Sequence, residues 1–404
     1  MKFIKEINYE VAVVGGGVAG VACALQSARL GRRVVLIEKT VQLGGLATIG
    51  LINYFVPMCN GRGVQIIKGM ADEFLRLSIE YGYDTIPHDW KNGEPGQGKT
   101  LQRLATRYSA PIFSLALLKE LQENGVTVMF DTVVTNAFLN GGKIEYLIAF
   151  NKSGYTKVNS KTFVDASGDA DLLRFAGIPT VIGENYHTYI AFQNTLQGCK
   201  EALENGDIEK TERVVNGGTA NLYGGNHPEG KAKWIGVNGD HVSAYLIENQ
   251  LELLEKIKND NRKERTVTML PGMCQFRTSA HIDGDYTLKE SDAYKHFEDS
   301  VCAICDFDRR DYLYEVPYRT MIRSGYDNVI AVGRCASASG YAWDVLRVIP
   351  PAILTGQAAG FAVDIAIENN QSLTKISVSK LQEQLENANV QVHFNDNLVP
   401  KDKE

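Results

Sequence analysis

Apolar and polar positions along the chain predict a mixed α/β protein. An apolar run ends at Val14, a stretch with helical spacing follows it, and a second apolar run covers residues 34–37. Later apolar runs predict strands at 126–130, 132–138, 162–164 and 328–332. Helical spacing predicts helices at 66–81, 112–124 and 241–258. Because strands alternate with helices, we expect a central parallel sheet with helices packed around it.

The patterning also divides the chain into regions. The residues Asn140-Gly141-Gly142 predict a hairpin turn, so a β-meander should adjoin the parallel sheet. Periodicity weakens between about 181 and 275 and returns at Leu313. We therefore expect a discontinuous main domain, an inserted α+β cap that faces substrate, and a C-terminal tail. The predicted boundaries are 1–180 with 313–380 for the main domain, 181–312 for the cap and 381–404 for the tail.

The first strand–helix–strand unit carries a glycine motif. Gly15, Gly17 and Gly20 stand in a G-x-G-x-x-G pattern between the first strand and the helix, and Glu38 closes the second strand. Gly15 allows the tight turn, Gly17 lets backbone amides approach a pyrophosphate, and Gly20 lets helix and strand pack closely. The carboxylate of Glu38 can accept hydrogen bonds from a ribose diol. The unit predicts a Rossmann-like site for an adenine dinucleotide.

The same unit narrows the choice of dinucleotide without settling it. The negative charge of Glu38 argues against the 2′-phosphate of NADP, although Arg32 and Arg33 lie close by in the sequence. FAD and NAD enter such a site in the same way, so this unit alone does not separate them.

Composition is that of an ordinary globular protein. The 404 residues are 44% hydrophobic and 22% charged, and the net charge of −6 gives no reason to expect nucleic acid as a partner. The N-terminus lacks an apolar signal core, and no stretch reaches the roughly 20 uninterrupted apolar residues of a membrane span. These features predict a cytoplasmic protein without a membrane partner.

The seven cysteines do not suggest a disulfide framework, because their number is odd and they are scattered. Cys302 and Cys305 have the spacing of a redox motif, but no thioredoxin-like βαβ pattern surrounds them. We favour two buried or incidental thiols over a redox pair. No second C-x-x-C or histidine pair completes a zinc site, so we predict no metal.

Residues 93–100 match the phosphate-loop pattern G-x-x-x-x-G-K-[ST] letter for letter. That pattern needs a buried strand before it, so that the loop amides curl round a phosphate. The preceding residues, 87–92, include proline, histidine and aspartate and cannot form a central strand. We interpret this segment as a surface loop rather than a nucleotide triphosphate site.

Four further motifs follow in order along the chain. They are Gly44-Gly45-Leu-Ala-Thr48-Ile-Gly50, Asp165-Ala-Ser-Gly168-Asp169, Tyr314-Glu-Val-Pro317-Tyr318-Arg319, and Gly333-Arg334 with Arg347-Val-Ile-Pro350 and Gly356-Gln-Ala-Ala-Gly360. With the first glycine motif, this set resembles the FAD-dependent oxidoreductases of the glutathione reductase-like group, over residues 9–390. The segment Arg277 to Tyr286 departs from the pattern, because Ala280 and His281 replace two arginines.

The resemblance implies how FAD is held. The ADP half is expected on Gly15, Gly17, Gly20, Glu38 and Lys39. The ribityl chain and flavin are expected along Gly44, Gly45 and Thr48, with Asp165, Gly168 and Asp169 closing over the cofactor and Gly333 and Arg334 near its pyrophosphate. The chain is more distantly similar to succinate dehydrogenase and fumarate reductase flavoproteins. Because Ala47 and Thr48 stand where those enzymes place a linking histidine, non-covalent FAD is implied.

A separate physical argument concerns Pro350 and Pro351. Proline is favoured in the first turn of a helix, where a missing N–H is not needed. The N-terminus of that helix would stabilise negative charge on the pyrimidine edge of a reduced flavin.

Candidate catalytic residues follow from charge and proton chemistry. Arginine binds carboxylates in a planar fork, and histidine moves protons near neutral pH. The main candidates are Arg347, Arg277, Arg319 and His281, and the secondary candidates are His187 and Tyr318. We expect hydride transfer between flavin N5 and a small polar or carboxylate-bearing substrate. An NAD-dependent dehydrogenase and a non-catalytic flavin sensor are the alternatives. The sequence does not identify the electron donor or acceptor, and it is compatible with a homo-oligomer.

Overall fold

The computed structural model describes residues 3–86 and 105–401. The strands of these ranges are β1 (Lys5–Val14), β2 (Val34–Ile37), β3 (Tyr54–Phe55), β4 (Thr106–Arg107), β5 (Thr127–Met129), β6 (Val133–Asn140), β7 (Lys143–Asn151), β8 (Gly154–Asp165), β9 (Thr180–Ile182), β10 (Thr188–Thr195), β11 (Glu212–Thr219), β12 (Arg265–Met269), β13 (Ala280–Ile282), β14 (Ser300–Cys305), β15 (Leu313–Pro317) and β16 (Val329–Ala331). The α-helices are α1 (Val18–Arg29), α2 (Met70–Ile79), α3 (Ala110–Glu123), α4 (Asp171–Phe175), α5 (Leu196–Asn205), α6 (Gly239–Ile257), α7 (Tyr341–Leu346), α8 (Ile349–Glu368) and α9 (Val378–Asn387).

A seven-stranded sheet forms the centre of the main domain, in the order β5-β2-β1-β8-β7-β6, with β16 also paired to β8. Strands β5, β2, β1, β8 and β16 run parallel to one another. Strand β7 pairs antiparallel with the first half of β8, and β6 pairs antiparallel with β7. The predicted hairpin between β6 and β7 turns at residues 141–142. The expected α/β fold, a parallel sheet with a β-meander, is confirmed. Its parallel strands all end at one edge.

Helices α1 and α8 pack face to face beside the sheet. A Cβ atom on Gly356 would lie 2.1 Å from the Ala19 carbonyl oxygen, and one on Gly360 would lie 2.6 Å from the Gln26 Cβ atom. The small side chains of α8 therefore allow the two backbones to approach closely. Helix α8 is long and apolar enough to cross a membrane, but 94% of its apolar window is buried inside the protein. Here it is a helix of the core.

Gly356→Ala is expected to destabilise the chain by about 1–3 kcal/mol, because the added methyl group would force α1 and α8 apart. Gly239→Ala is the matched control, since a Cβ atom at Gly239 would meet no atom within 4 Å. That control should change the free energy of unfolding by less than about 1 kcal/mol. Chemical denaturation of both variants measures the difference. Equal midpoints would show that the helix contact is not tight.

The inserted region has a small core of its own. Strands β11, β10 and β12 form an antiparallel sheet against α6. The buried residues of this small core are Tyr189, Ala191, Trp234, Tyr245, Leu253 and Phe276. Residues 280–305, which the sequence pattern placed in the cap, pack instead with the cores of the main domain.

The C-terminal segment also packs on the main domain. Helix α9 and the residues after it supply Leu381, Leu385, Val390, Val392 and Phe394 to the large core. The Ala303 amide of β14 donates a 2.6 Å hydrogen bond to the Gln391 carbonyl. The segment predicted as a tail is therefore an integral layer beside β14.

Candidate active site

A crevice lies at the edge where the parallel strands end, and the empty space in it, with the open solvent at its rim included, is about 1050 Å³. Of the residues expected at a cofactor, Gly15, Gly17, Glu38, Lys39, Gly44, Gly45, Gly168, Gly333 and Arg334 line it. The others, Gly20, Thr48, Asp165, Asp169, Pro350 and Pro351, are not among the residues that line it. The sheet topology explains the gathering, because motifs that follow parallel strands meet at one edge.

The three motif glycines have different environments. Gly15 has a φ of +106°, and a Cβ atom there would lie 2.3 Å from the Ala166 carbonyl oxygen. A Cβ atom on Gly20 would lie 2.0 Å from the Gly15 carbonyl oxygen. At Gly17, by contrast, nothing lies within 4 Å of the added atom. Gly15 and Gly20 therefore shape the turn, whereas Gly17 keeps space in the crevice.

The loop that begins at Gly44-Gly45 packs directly against the first glycine motif at residues 15–17. The Gly44 amide donates to the Gly16 carbonyl at 2.7 Å, and Gly17 and Gly44 form a parallel bridge. The Thr48 hydroxyl donates to the Leu43 carbonyl, and its side chain is buried. Thr48 thus closes the loop from behind, while its neighbours Ala47 and Ile49 face the crevice.

Glu38 holds the turn with both carboxylate oxygens. It accepts from the Gly16 amide at 2.6 Å and from the Thr40 amide at 2.7 Å. A carboxylate has about four acceptor positions, so two remain for a ligand in the crevice.

An ion-pair network crosses the far wall. Arg334 contacts Asp169 at 2.8 Å, and Lys39 lies 3.3 Å from Asp169 and 3.5 Å from Asp171. Burial opposes the charge of Asp169, but Arg334 and Lys39 hold its pKa below the ordinary value. The guanidinium of Arg334 also donates to the carbonyls of Gly168 and Phe276. The network therefore fixes the 165–171 turn against the cap.

Asp165 organises that turn from within. It is fully buried and accepts from the Ser167 amide at 3.0 Å, the Ser167 hydroxyl at 2.7 Å and the Leu173 amide at 3.0 Å. Burial raises its pKa to about 6, against the effect of these hydrogen bonds.

The raised pKa of Asp165 predicts a pH-dependent stability. The native state holds this proton more tightly than the unfolded state, whose pKa is near 3.8, so the contribution is fully present below pH 3.8 and lost as pH rises through about 6. A shift of this size corresponds to about 3 kcal/mol. Unfolding of the flavin-free chain between pH 4 and 7 should show this decline in the wild type and not in Asp165→Asn. Parallel curves for the two proteins would contradict it.

Two helix N-termini face the crevice without side-chain caps. Gly17 precedes α1 and Val348 precedes α8, and neither receives a capping hydrogen bond from a side chain. Ala19 and Ala352, from the first turns of these helices, line the crevice. Pro350 and Pro351 lie in the first turn of α8, as expected. The N-terminal end of each helix carries partial positive charge and suits the phosphates and the flavin edge of FAD. In α8 this charge comes from the helix dipole and the Ile349 amide, because Pro350 and Pro351 have no N–H group.

Two arginines come together at the α7–α8 junction. Arg347 lines the crevice and pairs with Asp344, its Nε atom 2.8 Å from the carboxylate. Burial lowers the pKa of Arg277, and the charge of Arg347 lowers it further. Within the described ranges, no group hydrogen-bonds the Arg277 guanidinium. One carboxylate thus faces two guanidinium groups, which leaves a net positive charge.

The other catalytic candidates lie elsewhere. Arg319 is half-exposed and pairs with Asp299 at 2.9 Å, on the surface. His281 is buried on β13, where its Nδ1 donates to the Ile282 carbonyl at 2.6 Å and its ring packs on Trp343. Burial lowers the pKa of His281. Neither side chain lines the crevice, since His281 lies on β13 and Arg319 follows β15. Arg277 is not among the lining residues either, so Arg347 alone of the four candidates lines the crevice.

The two secondary candidates are also outside it. The hydroxyl of Tyr318 donates to the Leu373 carbonyl at 2.9 Å inside the main core. His187 is buried in the cap, where its Nδ1 accepts from the Trp234 indole at 3.2 Å.

The structure adds lining residues that the motifs did not indicate. Thr132, Val133 and Val134 follow β5, the parallel neighbour of β2. Their place beside Glu38 could have been inferred from the rule that parallel strands share one carboxyl edge. Met273, from the cap, carries no such signal.

Two further sequence interpretations concern the phosphate-loop match and the cysteine pair. The phosphate-loop match at 93–100 lies outside the described residues. Cys302 and Cys305 are both buried on β14, and neither forms a disulfide. Burial raises the pKa of the Cys302 thiol, which suits an unreactive core residue.

Comparison with known proteins decides the family. A family model described as FAD dependent oxidoreductase matches residues 10–213 and 247–385. The chain belongs to this family. FAD is therefore the cofactor of this FAD-dependent oxidoreductase, and the uncapped helix ends and the space at Gly17 fit it.

Individual relatives of the oxidoreductase are distant. The glutamate synthase [NADPH] small chain of Escherichia coli is 34% identical over 85 residues, which cover 21% of this chain and 18% of that protein. The digeranylgeranylglycerophospholipid reductase of Methanoculleus marisnigri is 22% identical over 245 residues, which cover 58% of this chain and 54% of that protein. The first relatives are matched over 18–35% of their own length.

Solved structures give a similar picture. A geranylgeranyl bacteriochlorophyll reductase-like protein of Thermoplasma acidophilum aligns over 97% of this chain and 95% of its own, with a TM-score of 0.45 and 16% identity. The Sdh1 protein of Mycobacterium smegmatis aligns over 94% of this chain and 72% of its own, with a TM-score of 0.47 and 14% identity.

Proposed function

We propose that this enzyme transfers hydride between FAD and a small substrate that carries a carboxylate or another anionic group. The observation that supports the proposal is Arg347, which lines the crevice at the α7–α8 junction and pairs with Asp344, while the buried Arg277 is near enough to interact electrostatically with both. A planar guanidinium binds a carboxylate through two parallel hydrogen bonds. Arg277 would anchor the substrate, and Arg347 would orient it.

The chain's own residues set the conditions for that reaction. When bound, FAD supplies hydride chemistry at N5. The N-terminus of α8 stabilises negative charge at the end of the crevice where Ile349 and Ala352 lie. Asp169 and Arg334 hold the 165–171 turn in place. Arg319 and His281 have no part in this proposal, because both are held elsewhere.

We further propose non-covalent FAD and membership of the glutathione reductase-like group. The described residues that line the crevice include no histidine, cysteine or tyrosine that could link a flavin. The contact of Gly44 with Gly17 supports the group, since it builds one continuous glycine floor from the two motifs that suggested it.

An anaerobic screen tests the substrate class. Purified holoenzyme is mixed with panels of carboxylic acids, amino acids, alcohols and amines, and loss of the visible absorbance of oxidised flavin is recorded. We expect reduction by a carboxylate-bearing compound and competition by unreactive carboxylates. Reduction by uncharged compounds alone, without inhibition by carboxylates, would overturn the proposal.

The same screen addresses the remaining alternative and the direction of catalysis. A chain reduced by dithionite but by no metabolite or nicotinamide donor would act as a flavin sensor. Reduction by NADH or NADPH alone would identify the electron donor, and carboxylates with a reducible bond should then reoxidise the flavin. A cytoplasmic location and self-association stay predictions.

A further inference from the structure

A cluster of two histidines and one carboxylate lies away from the crevice. Glu315, on β15, is fully buried, and its Oε1 atom lies 2.6 Å from the Nδ1 atom of His296. Its Oε2 atom lies 3.0 Å from the Nδ1 atom of His393. One potential ligand atom from each of the three residues lies within 4.8 Å of the others. None of these residues lines the FAD crevice.

The backbone fixes the orientation of the Glu315 carboxylate. Its Oε2 atom accepts from the Phe297 amide at 2.8 Å, and its Oε1 atom accepts from the Phe394 amide at 3.3 Å. Each amide belongs to the residue that follows one of the two histidines. The same short segments therefore hold the carboxylate and bring both imidazoles to it.

The environment of His296 calls for a cation. Its Nε2 atom lies 2.7 Å from the Asp396 carboxylate, while its Nδ1 atom faces Glu315. Both contacts are hydrogen bonds, and a protonated imidazole can donate one N–H group to each carboxylate. A zinc ion would take the place of the Nδ1 proton and bond to Nδ1 and to the Glu315 carboxylate. A carboxylate that accepts from the second nitrogen of a metal-bound histidine is a common supporting group.

The donor set and its exposure suit zinc. Two imidazole nitrogens and one carboxylate form a known zinc ligand set, with a fourth position left for water. The side chains of His296 and His393 are 43% and 42% exposed, so an ion can reach them. Ligand atoms around tetrahedral zinc lie about 3.3 Å apart, given bonds of about 2.0 Å. The half-exposed His296 ring would therefore move outward by a fraction of an ångström.

We propose that His296, Glu315 and His393 bind one zinc ion, with Asp396 orienting His296. The ligands come from the segment before β14, from β15 and from the C-terminal segment. The ion would therefore fasten the C-terminal segment to the β14–β15 hairpin. This site is independent of the reaction proposed above.

Zinc binding to the wild-type holoenzyme is the first test. After dialysis against a chelator, calorimetric titration with zinc chloride should show one site per chain with a dissociation constant below about 1 μM, and saturation should raise the melting temperature by several degrees. Absence of saturable binding would overturn the proposal. The flavin content should not change, so this result is separate from any result on catalysis.

Matched variants test the assignment of ligands. In His393→Asn the amide nitrogen can replace Nδ1 as a hydrogen-bond donor to Glu315, but it is a poor zinc ligand. This variant should lose the site and the rise in melting temperature. His241→Asn is the control, because His241 accepts from the Ile235 amide in the cap and an amide oxygen can do the same.

Equal zinc binding by wild type and H393N would overturn the proposal. It would show that Glu315 and the histidines form only a hydrogen-bonded clasp. If H393N does not fold, Asp396→Asn, which keeps all three ligands, serves instead. It should weaken zinc binding about 10–100-fold, and unchanged affinity would contradict the role of Asp396.

Discussion

Gly17→Ala is expected to fold normally and to lose FAD. The backbone at Gly17 has a φ of −65°, which alanine adopts without strain, and no protein atom lies within 4 Å of the added Cβ atom. The methyl group would instead occupy the crevice where backbone amides approach the pyrophosphate. We expect FAD affinity to fall at least about 100-fold, which corresponds to about 2.8 kcal/mol. Flavin content after gel filtration and circular dichroism measure cofactor and fold separately.

Gly20→Ala provides the contrast for this experiment. A Cβ atom there would lie 2.0 Å from the Gly15 carbonyl oxygen, so this variant should lose stability as well as cofactor. Gly239→Ala should retain both. Full flavin content in Gly17→Ala would show that the pyrophosphate does not pass over this residue.

Arg277→Gln is expected to lower kcat/KM for a carboxylate substrate about 100-fold while FAD content and stability stay unchanged. Loss of one partner from a desolvated, charge-assisted pair costs about 2–5 kcal/mol. Because no described group hydrogen-bonds the Arg277 guanidinium, its removal leaves no protein partner unsatisfied. Steady-state kinetics with the first compound that reduces the flavin gives the measurement. Arg347→Gln should have a similar effect on kinetics and also a loss of stability, since it leaves Asp344 without its partner.

Arg319→Gln is the control for these substitutions. Its ion pair with Asp299 is half-exposed, and surface pairs contribute about 0–1 kcal/mol. We expect kcat/KM to change less than threefold. A large kinetic effect at Arg319 with none at Arg277 would place the substrate at a different end of the molecule.

The cofactor crevice was largely predictable from local sequence rules. Gly15 and Gly20 are required by backbone contacts within one turn, and Glu38 follows directly from the end of β2. Such features depend on short segments whose geometry the sequence largely determines. Thr48 and Asp165 were found in the right loops, but their side chains turn inward to bind backbone groups. Sequence motifs locate a loop and do not show which of its side chains face the ligand.

The catalytic candidates were harder to place, because their positions depend on how the cap folds back on the main domain. Arg277 and His281 are four residues apart, yet only Arg277 lies near the crevice end. The C-terminal segment contains an apolar pattern that indicates packing on the main domain rather than a free tail. Val390, Val392 and Phe394 alternate with polar residues, a period typical of a segment with one buried side. The approach of His296 to His393 depends on that packing, so no local pattern could reveal it.

The pairing of β1 with β8 and the packing of α1 on α8 determine when the holoenzyme can form during synthesis. The first turn of α1 and the first turn of α8 are both walls of the crevice, although more than 300 residues separate Val18 from Ala352. A nascent chain that has emerged only as far as β8 has the first glycine turn but lacks the opposite wall. FAD should therefore load only after α8 has emerged from the ribosome, and fragments truncated before Ile349 should remain colourless.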